Sequence, residues 1–173
     1  LLRAVRTTEV QTLTTTQLNG LSTTDISELT TTQIGLLTTA QVRGLSTTNI
    51  GALSDTQVLS LTTTQLAAFS NTNLSALDGT QAAALTTTQL RSLTTTQLGS
   101  LNATDVGEFT TTQIGALTNT QAQSLTSTQL AGLADTQIQA FTTTQIANLS
   151  TTQVGNLTTD ILAALDTTQV AAL

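Results

Sequence analysis

Leu93-Thr94-Thr95-Thr96-Gln97-Leu98-Gly99-Ser100 decides how this chain is read, because the same eight-residue pattern runs through nearly all of it. From Val5 the sequence divides into 21 octapeptides with no insertion, and Leu173 opens one more. Leu13-Thr14-Thr15-Thr16-Gln17-Leu18-Asn19-Gly20 repeats the pattern near the start. Position one is Leu eighteen times, Phe three times (Phe69, Phe109, Phe141) and Val once. Position six is Leu, Ile or Val throughout, except at Ala82 and Ala122. Position two is Ser, Thr, Asp or Asn in 19 of 21 octapeptides, with Arg6 and Ala134 the exceptions. Position four is Thr in 19, and position five is Gln, Glu, Asp or Asn in 20. Positions seven and eight are mostly small or polar and hold nine of the ten glycines.

A fixed short period means a repeat architecture. Threonine favours strands, but a strand places its apolar groups two apart. Here the apolar positions are three and then five apart, and the three-residue spacing suits a helical turn. The polar positions agree. Ser/Thr at position two with Gln three residues later forms a capping box: the hydroxyl accepts an N–H of the first turn, and the Gln reaches back to the cap N–H. The apolar residues at positions one and six form the hydrophobic staple that accompanies such a start. Leu61, Thr62, Gln65 and Leu66 supply all four parts. A new cap every eight residues limits each helix to about one and a half turns.

The fold class expected is therefore all-α, a solenoid of very short capped helices. One octapeptide buries too little to order itself, so neighbours must share the apolar stripe. Small residues at position eight would let adjacent backbones approach. A weaker alternation, with Thr-Thr-Thr-Gln in six of seven cases in one sixteen-residue phase, suggests two octapeptides per coil. The competing fold is a β-solenoid with sixteen-residue coils. A circular-dichroism minimum at ~218 nm, without the helical pair of minima, would select it. Residues 1–4 read as a flank and 5–173 as one continuous array, with no linker. Starting on Leu and stopping in mid-pattern, the chain reads as a segment of a longer polypeptide.

Composition removes whole classes of function. The 173 residues include no Lys, His, Cys, Met, Trp, Tyr or Pro, and 45 are Thr. There is no imidazole base, thiol or disulfide, nor an ordinary zinc or copper site. Four arginines against ten acids cannot neutralise a nucleic-acid backbone. No apolar run approaches the ~20 residues of a membrane span. An apolar content of 38% with only 8% charged residues argues for order over disorder. Hydroxyls abound, but no base exists to activate one. Asp at positions two and five reads as capping, and Asp105 with Glu108 lacks the surroundings of a catalytic pair. Calcium-loop patterns are missing. The sequons at Asn73, Asn102, Asn148 and Asn156 are expected by chance in so hydroxyl-rich a chain. Leu157-Thr158-Thr159-Asp160-Ile161-Leu162 puts Ile where Gln belongs and predicts a weaker cap. The expectation is a chain that is not an enzyme, with no catalytic, cofactor-binding or metal-ligating residue, no cofactor and no small-molecule substrate.

At the level of Leu-Thr-Thr-Thr-Gln-Ile/Leu/Val, residues 5–173 resemble octapeptide arrays of very large bacterial secreted or cell-surface adhesin-like proteins. The resemblance implies an extracellular structural or adhesive role. Three roles follow as expectations: a stalk, spacer or filament segment; a Thr-rich face binding a glycan, a partner, mineral or ice; and self-association, end-to-end or lateral, or packing against neighbouring segments of the same chain. The near-constant Thr of position four, which capping leaves unexplained, is expected to bond or pack between octapeptides.

Overall fold

A computed structural model of the chain describes residues 9–173. They form a 3-10 turn, Glu9–Thr12, and then twenty α-helices of four to six residues, from Thr15–Asn19 to Thr167–Val170. Among the described residues there is no strand, so the chain is an all-α solenoid of short helices. The 1–4 flank and the Arg6 cap position lie outside the described residues.

One octapeptide shows why the helices are short. Thr62 is extended, with φ −73° and ψ 157°, and its hydroxyl accepts the Gln65 N–H at 3.1 Å. Gln65 Oε1 accepts the Thr62 N–H at 2.7 Å, completing the capping box. Helix Thr63–Ala68 then ends as the Phe69 N–H closes on the Leu66 carbonyl at 3.1 Å. Phe69 itself returns to ψ 138°, which sets up the next cap at Ser70. A cap is worth ~1 kcal/mol, so it selects where a helix begins and does not hold it against the solvent. Burial does that: Leu61 and Leu66 are 3% and 0% exposed.

The chain divides into two compact halves, Leu1–Ser92 and Leu93–Leu173. In the first, helix Thr39–Arg43 packs on Thr63–Ala68, and Thr63–Ala68 on Thr87–Ser92. In the second, Thr95–Ser100 packs on Asn119–Ser124, and Ala103–Gly107 on Ser127–Ala131. Within each half, these helices thus meet the helix three octapeptides on. The expectation of two octapeptides per coil is corrected here. Bonds between coils join residues 25 to 31 apart, so a coil takes between three and four octapeptides. The alternation that suggested sixteen rested on positions two to five, of which two and four lie largely at the surface and do not record the length of the coil.

Positions seven and eight control how closely coils approach. A methyl group built on Gly115, at position seven, would sit 2.8 Å from the Ala140 carbonyl oxygen three octapeptides on. No described glycine has a positive φ, so the small residue serves proximity and not a turn. Where position seven is an amide, it bonds instead: Asn19 Nδ2 donates to the Gly44 carbonyl and Asn19 Oδ1 accepts the Ser46 N–H.

Candidate functional site

The side chains with most polar chemistry inside the molecule are the position-five amides. Among the described residues, all sixteen buried polar residues are at position five, fourteen Gln and two Asn. Gln65 is 2% exposed, and its two ends do different things. Oε1 completes the cap of its own helix, while Nε2 donates to the Ile34 carbonyl at 2.9 Å and the Leu37 carbonyl at 2.7 Å. Those carbonyls lie at the end of a helix one coil back, where intrahelical partners have run out. One side chain thus satisfies the start of one helix and the end of another. Gln41 and Gln57 do the same in the first half, and Gln129 and Gln153 in the second. Among the described residues no buried side-chain nitrogen or oxygen lacks a partner.

Asparagine and aspartate at this position each do half of the work. Asn49 and Asn73 donate across the coil, to Leu18 and to Val42 and Leu45, but their helices lack the capping box. Asp25 and Asp105 accept the cap N–H, of Ser22 and Asn102, and have no hydrogen to donate onward. The second role of Gln escaped the sequence reading. The signal was present: a capping box accepts Glu as readily as Gln, yet position five is Gln fifteen times and Glu once.

Asp25, Asp78, Asp105 and Asp166 serve in caps. Asp78 and Asp166 replace the hydroxyl at position two. The Thr80 hydroxyl, then the Gln81 N–H, holds the Asp78 carboxyl below its ordinary range; Thr168 and Gln169 do the same for Asp166. Asp25 is lowered by the Ser22 hydroxyl and then its N–H. Asp105 caps at Asn102, while Glu108 follows helix Ala103–Gly107 as its C-cap. Among the described residues no three acids gather closely enough to hold a metal ion. An open cleft of about 400 Å³ lies beside Ala103, Thr104, Gly107, Glu108 and Gly132, with a single carboxylate on its wall.

Other candidates have structural work. Asn73 is buried in its bridge to Val42 and Leu45. Asn102 is a cap, and Asn148 and Asn156 donate to Thr144 and Thr152. Phe69, Phe109 and Phe141 are each 4% exposed and belong to the core. Ala134 supplies no side-chain cap, although Gln137 Oε1 still accepts its N–H.

Position four needs a correction. Its threonines do not bond or pack between coils: each one described is exposed. Thr80 and Thr168 donate only to the cap of their own octapeptide, and Thr56 shares a hydrogen bond with the Ser54 cap. As the second residue of the helix, position four points away from the apolar stripe made by positions one and six. Position two accepts Ser in five octapeptides, whereas position four never does. Nothing inside the fold explains that preference for the methyl group.

The octapeptide Leu157–Ala164 departs most. Thr158 caps helix Thr159–Ala164 without a box, as its sequence predicts. Ile161 at position five is buried and Leu162 at position six is 42% exposed, the reverse of the usual polar and apolar pairing. The helix closes Leu165 N–H on the Ile161 carbonyl, one residue earlier than elsewhere. A small apolar cavity of about 10 Å³ lies beside Ile161, Phe141 and Leu165.

Among known families, the ALTTAQ repeat matches residues 26–63 and 82–119, two stretches that together span less than half of the chain. Ala84-Leu85-Thr86-Thr87-Thr88-Gln89 comes within one residue of spelling that name. The match supports membership of a repeat class, with no activity attached to it. No curated protein and no solved structure matches the chain.

Proposed function

We propose that the chain is a structural, non-catalytic repeat segment, a stalk or spacer within a bacterial cell-surface or secreted protein. The observation that carries this reading is the use of buried position-five amides, such as Gln41, Gln65, Gln129 and Gln153, to join one coil to another. A chain built this way gains length with each octapeptide and gains no new chemistry. The extracellular setting rests on the resemblance to large surface-protein arrays and agrees with the absence of Cys and the acidic charge. Solution X-ray scattering on this chain, and on chains with eight or sixteen residues added within the array, tests the spacer role. The maximum dimension is expected to rise by a constant step per octapeptide; a globular profile that does not lengthen overturns the reading. Antibody labelling of intact cells tests the location.

A second reading has one observation in its favour, the exposure of every described position-four threonine. These side chains present a hydroxyl and a methyl in each octapeptide and suit a glycan, mineral or ice surface. Changing Thr64, Thr72, Thr88 and Thr96 to Ser keeps the hydroxyls and removes the methyls. Binding to a glycan array, or thermal hysteresis, that falls in this variant supports the reading. No signal from the unaltered chain in either assay removes it.

A further inference from the structure

Position seven carries a second seam between coils, and it runs forward. Gln11 donates to the Leu36 carbonyl, Asn19 to Gly44 and Gln123 to Asn148, each 25 residues on. Asn19 also turns its Oδ1 to the Ser46 N–H, at 2.8 Å. Ser46 is the cap of helix Thr47–Gly51, whose third residue is Asn49. Asn49 is one carbon shorter than the usual Gln and directs its Nδ2 to the Leu18 carbonyl, at 2.9 Å. Asn19 therefore supplies, from the previous coil, the acceptor that this helix's own capping box lacks. Three hydrogen bonds meet at one place, two at Asn19 and one at its neighbour Leu18. They clamp the end of helix Thr15–Asn19 to the start of helix Thr47–Gly51.

Asn19 is followed by Gly20, and of the eight asparagines it alone precedes a glycine. Neither backbone nor space requires glycine there. Its φ is −79°, and a methyl built on it comes no nearer than 3.4 Å to the Gln17 and Thr16 carbonyl oxygens. What glycine changes is reactivity, because no Cβ hinders its amide nitrogen from reaching the preceding side chain. That nitrogen gives its proton to hydroxide and bonds to Asn19 Cγ. The Cγ–Nδ2 bond breaks, and the nitrogen leaves as ammonia with a proton from water. The cyclic imide then takes up one water and opens to aspartate or isoaspartate; nothing is oxidised or reduced. In the closed fold both reactants are engaged elsewhere. The Gly20 N–H donates to the Thr16 and Gln17 carbonyls at 3.0 and 3.2 Å, and the Asn19 amide is held across the coil.

We propose that Asn19 is a self-modification site gated by this clamp. While the clamp is closed Asn19 persists; once it opens, Asn19 loses ammonia and the clamp does not re-form. Aspartate has no hydrogen to give the Gly44 carbonyl. Isoaspartate routes the main chain through the former side chain, so neither amide atom returns to its place. Water and hydroxide are the only co-reactants.

Peptide mapping by mass spectrometry, on the full chain held at mildly alkaline pH, follows the conversion. In urea Asn19 is expected to convert first among the eight asparagines. In the folded chain its conversion should be at least ~10-fold slower, since the coil must open before the nitrogen can attack. Gly20→Ala, which the space allows, should suppress conversion in both conditions. Asn49→Ala removes the bond to Leu18 and should speed conversion in the folded chain at least ~3-fold, with hydrogen-exchange protection of the Ser46 N–H falling in step. Should Asn49→Ala lose its helical circular dichroism, Gly44→Ala tests the same point. Its methyl would lie 2.6 Å from Thr15 Cγ2 and wedge the two coils apart. The proposal is overturned if Asn19 converts as fast folded as in urea, or if another asparagine precedes it in urea. It is equally overturned if the clamp-opening variant leaves the folded rate unchanged.

Discussion

Leu61–Ala68 and Leu157–Ala164 occupy equivalent places in the repeat and differ at one decisive position. Both have a Thr cap, a short helix and a buried residue at position five. In the first that residue is Gln65, tied to its own cap and to two carbonyls one coil back. In the second it is Ile161, which fills space and bonds through its backbone only. The helix survives there, but its register slips by one residue and Leu162 turns outward. Capping is thus enough to start a helix. A polar residue at position five, Asp25 and Asp105 included, goes with the ordinary rotation, and an amide there also joins the helix to the neighbouring coil.

That contrast can be broken or sharpened by substitution. The largest effect is expected from Gln65→Glu, which keeps the cap acceptor and turns the donor end into a charge facing the Ile34 and Leu37 carbonyls. A buried, unpaired charge costs roughly 3–5 kcal/mol, read as a lower urea midpoint. Leu66→Ala leaves the seam whole and empties the core beside it. A loss of about 2–5 kcal/mol in the same measurement is expected, with the seam amides staying protected in hydrogen exchange. Ile161→Gln supplies the irregular octapeptide with the missing donor. A gain of about 1 kcal/mol is expected, together with burial of Leu162, seen as loss of reactivity when a Leu162→Cys probe is added in the same background. A lower thermal midpoint would mean that filling the cavity matters more than the bridge. Ala134→Thr restores the one described cap that lacks a side-chain acceptor and should add about 0.5–1 kcal/mol.

The smallest effect is a pH dependence at Asp78 and Asp166. Both carboxyls are held below their ordinary range, by the Thr80 and Thr168 hydroxyls first. Their contribution is therefore complete above the unfolded carboxyl range and is lost as pH falls through the lowered folded values. A Ser or Thr cap paired with Gln contains no titrating group and brings no such pH dependence. Asp78→Asn with Asp166→Asn should flatten the acid limb of a thermal-midpoint profile and leave the neutral region unchanged.

Much of the fold was legible because capping and burial are local. Thr62, Gln65, Leu61 and Leu66 announce a helix start within six residues, and the structure places each as that pattern requires. The coil was not legible, since its defining bonds link residues 25 to 31 apart and the exposed threonines nearer by carry no trace of it. The candidate site fared similarly. Acids such as Asp78 could be assigned to caps from spacing alone. The bridging role of Gln was written only as a preference for amide over carboxylate, a preference that gains meaning once the opposing carbonyls are known. Position four remains the one constant residue that neither local rules nor packing account for.

The backward bridge from position five has a consequence for how such a chain can change over generations. Every bridging glutamine is interchangeable with every other, and so is every pair of carbonyls that it meets. The seam carries no address. Loss or duplication of one whole octapeptide re-pairs the donors that span it with equivalent acceptors, whereas loss of a single residue turns the spanning amides to the wrong face. Copy number is therefore free to drift in steps of eight, and reading-frame-preserving slippage within the gene becomes a mutation that the protein tolerates.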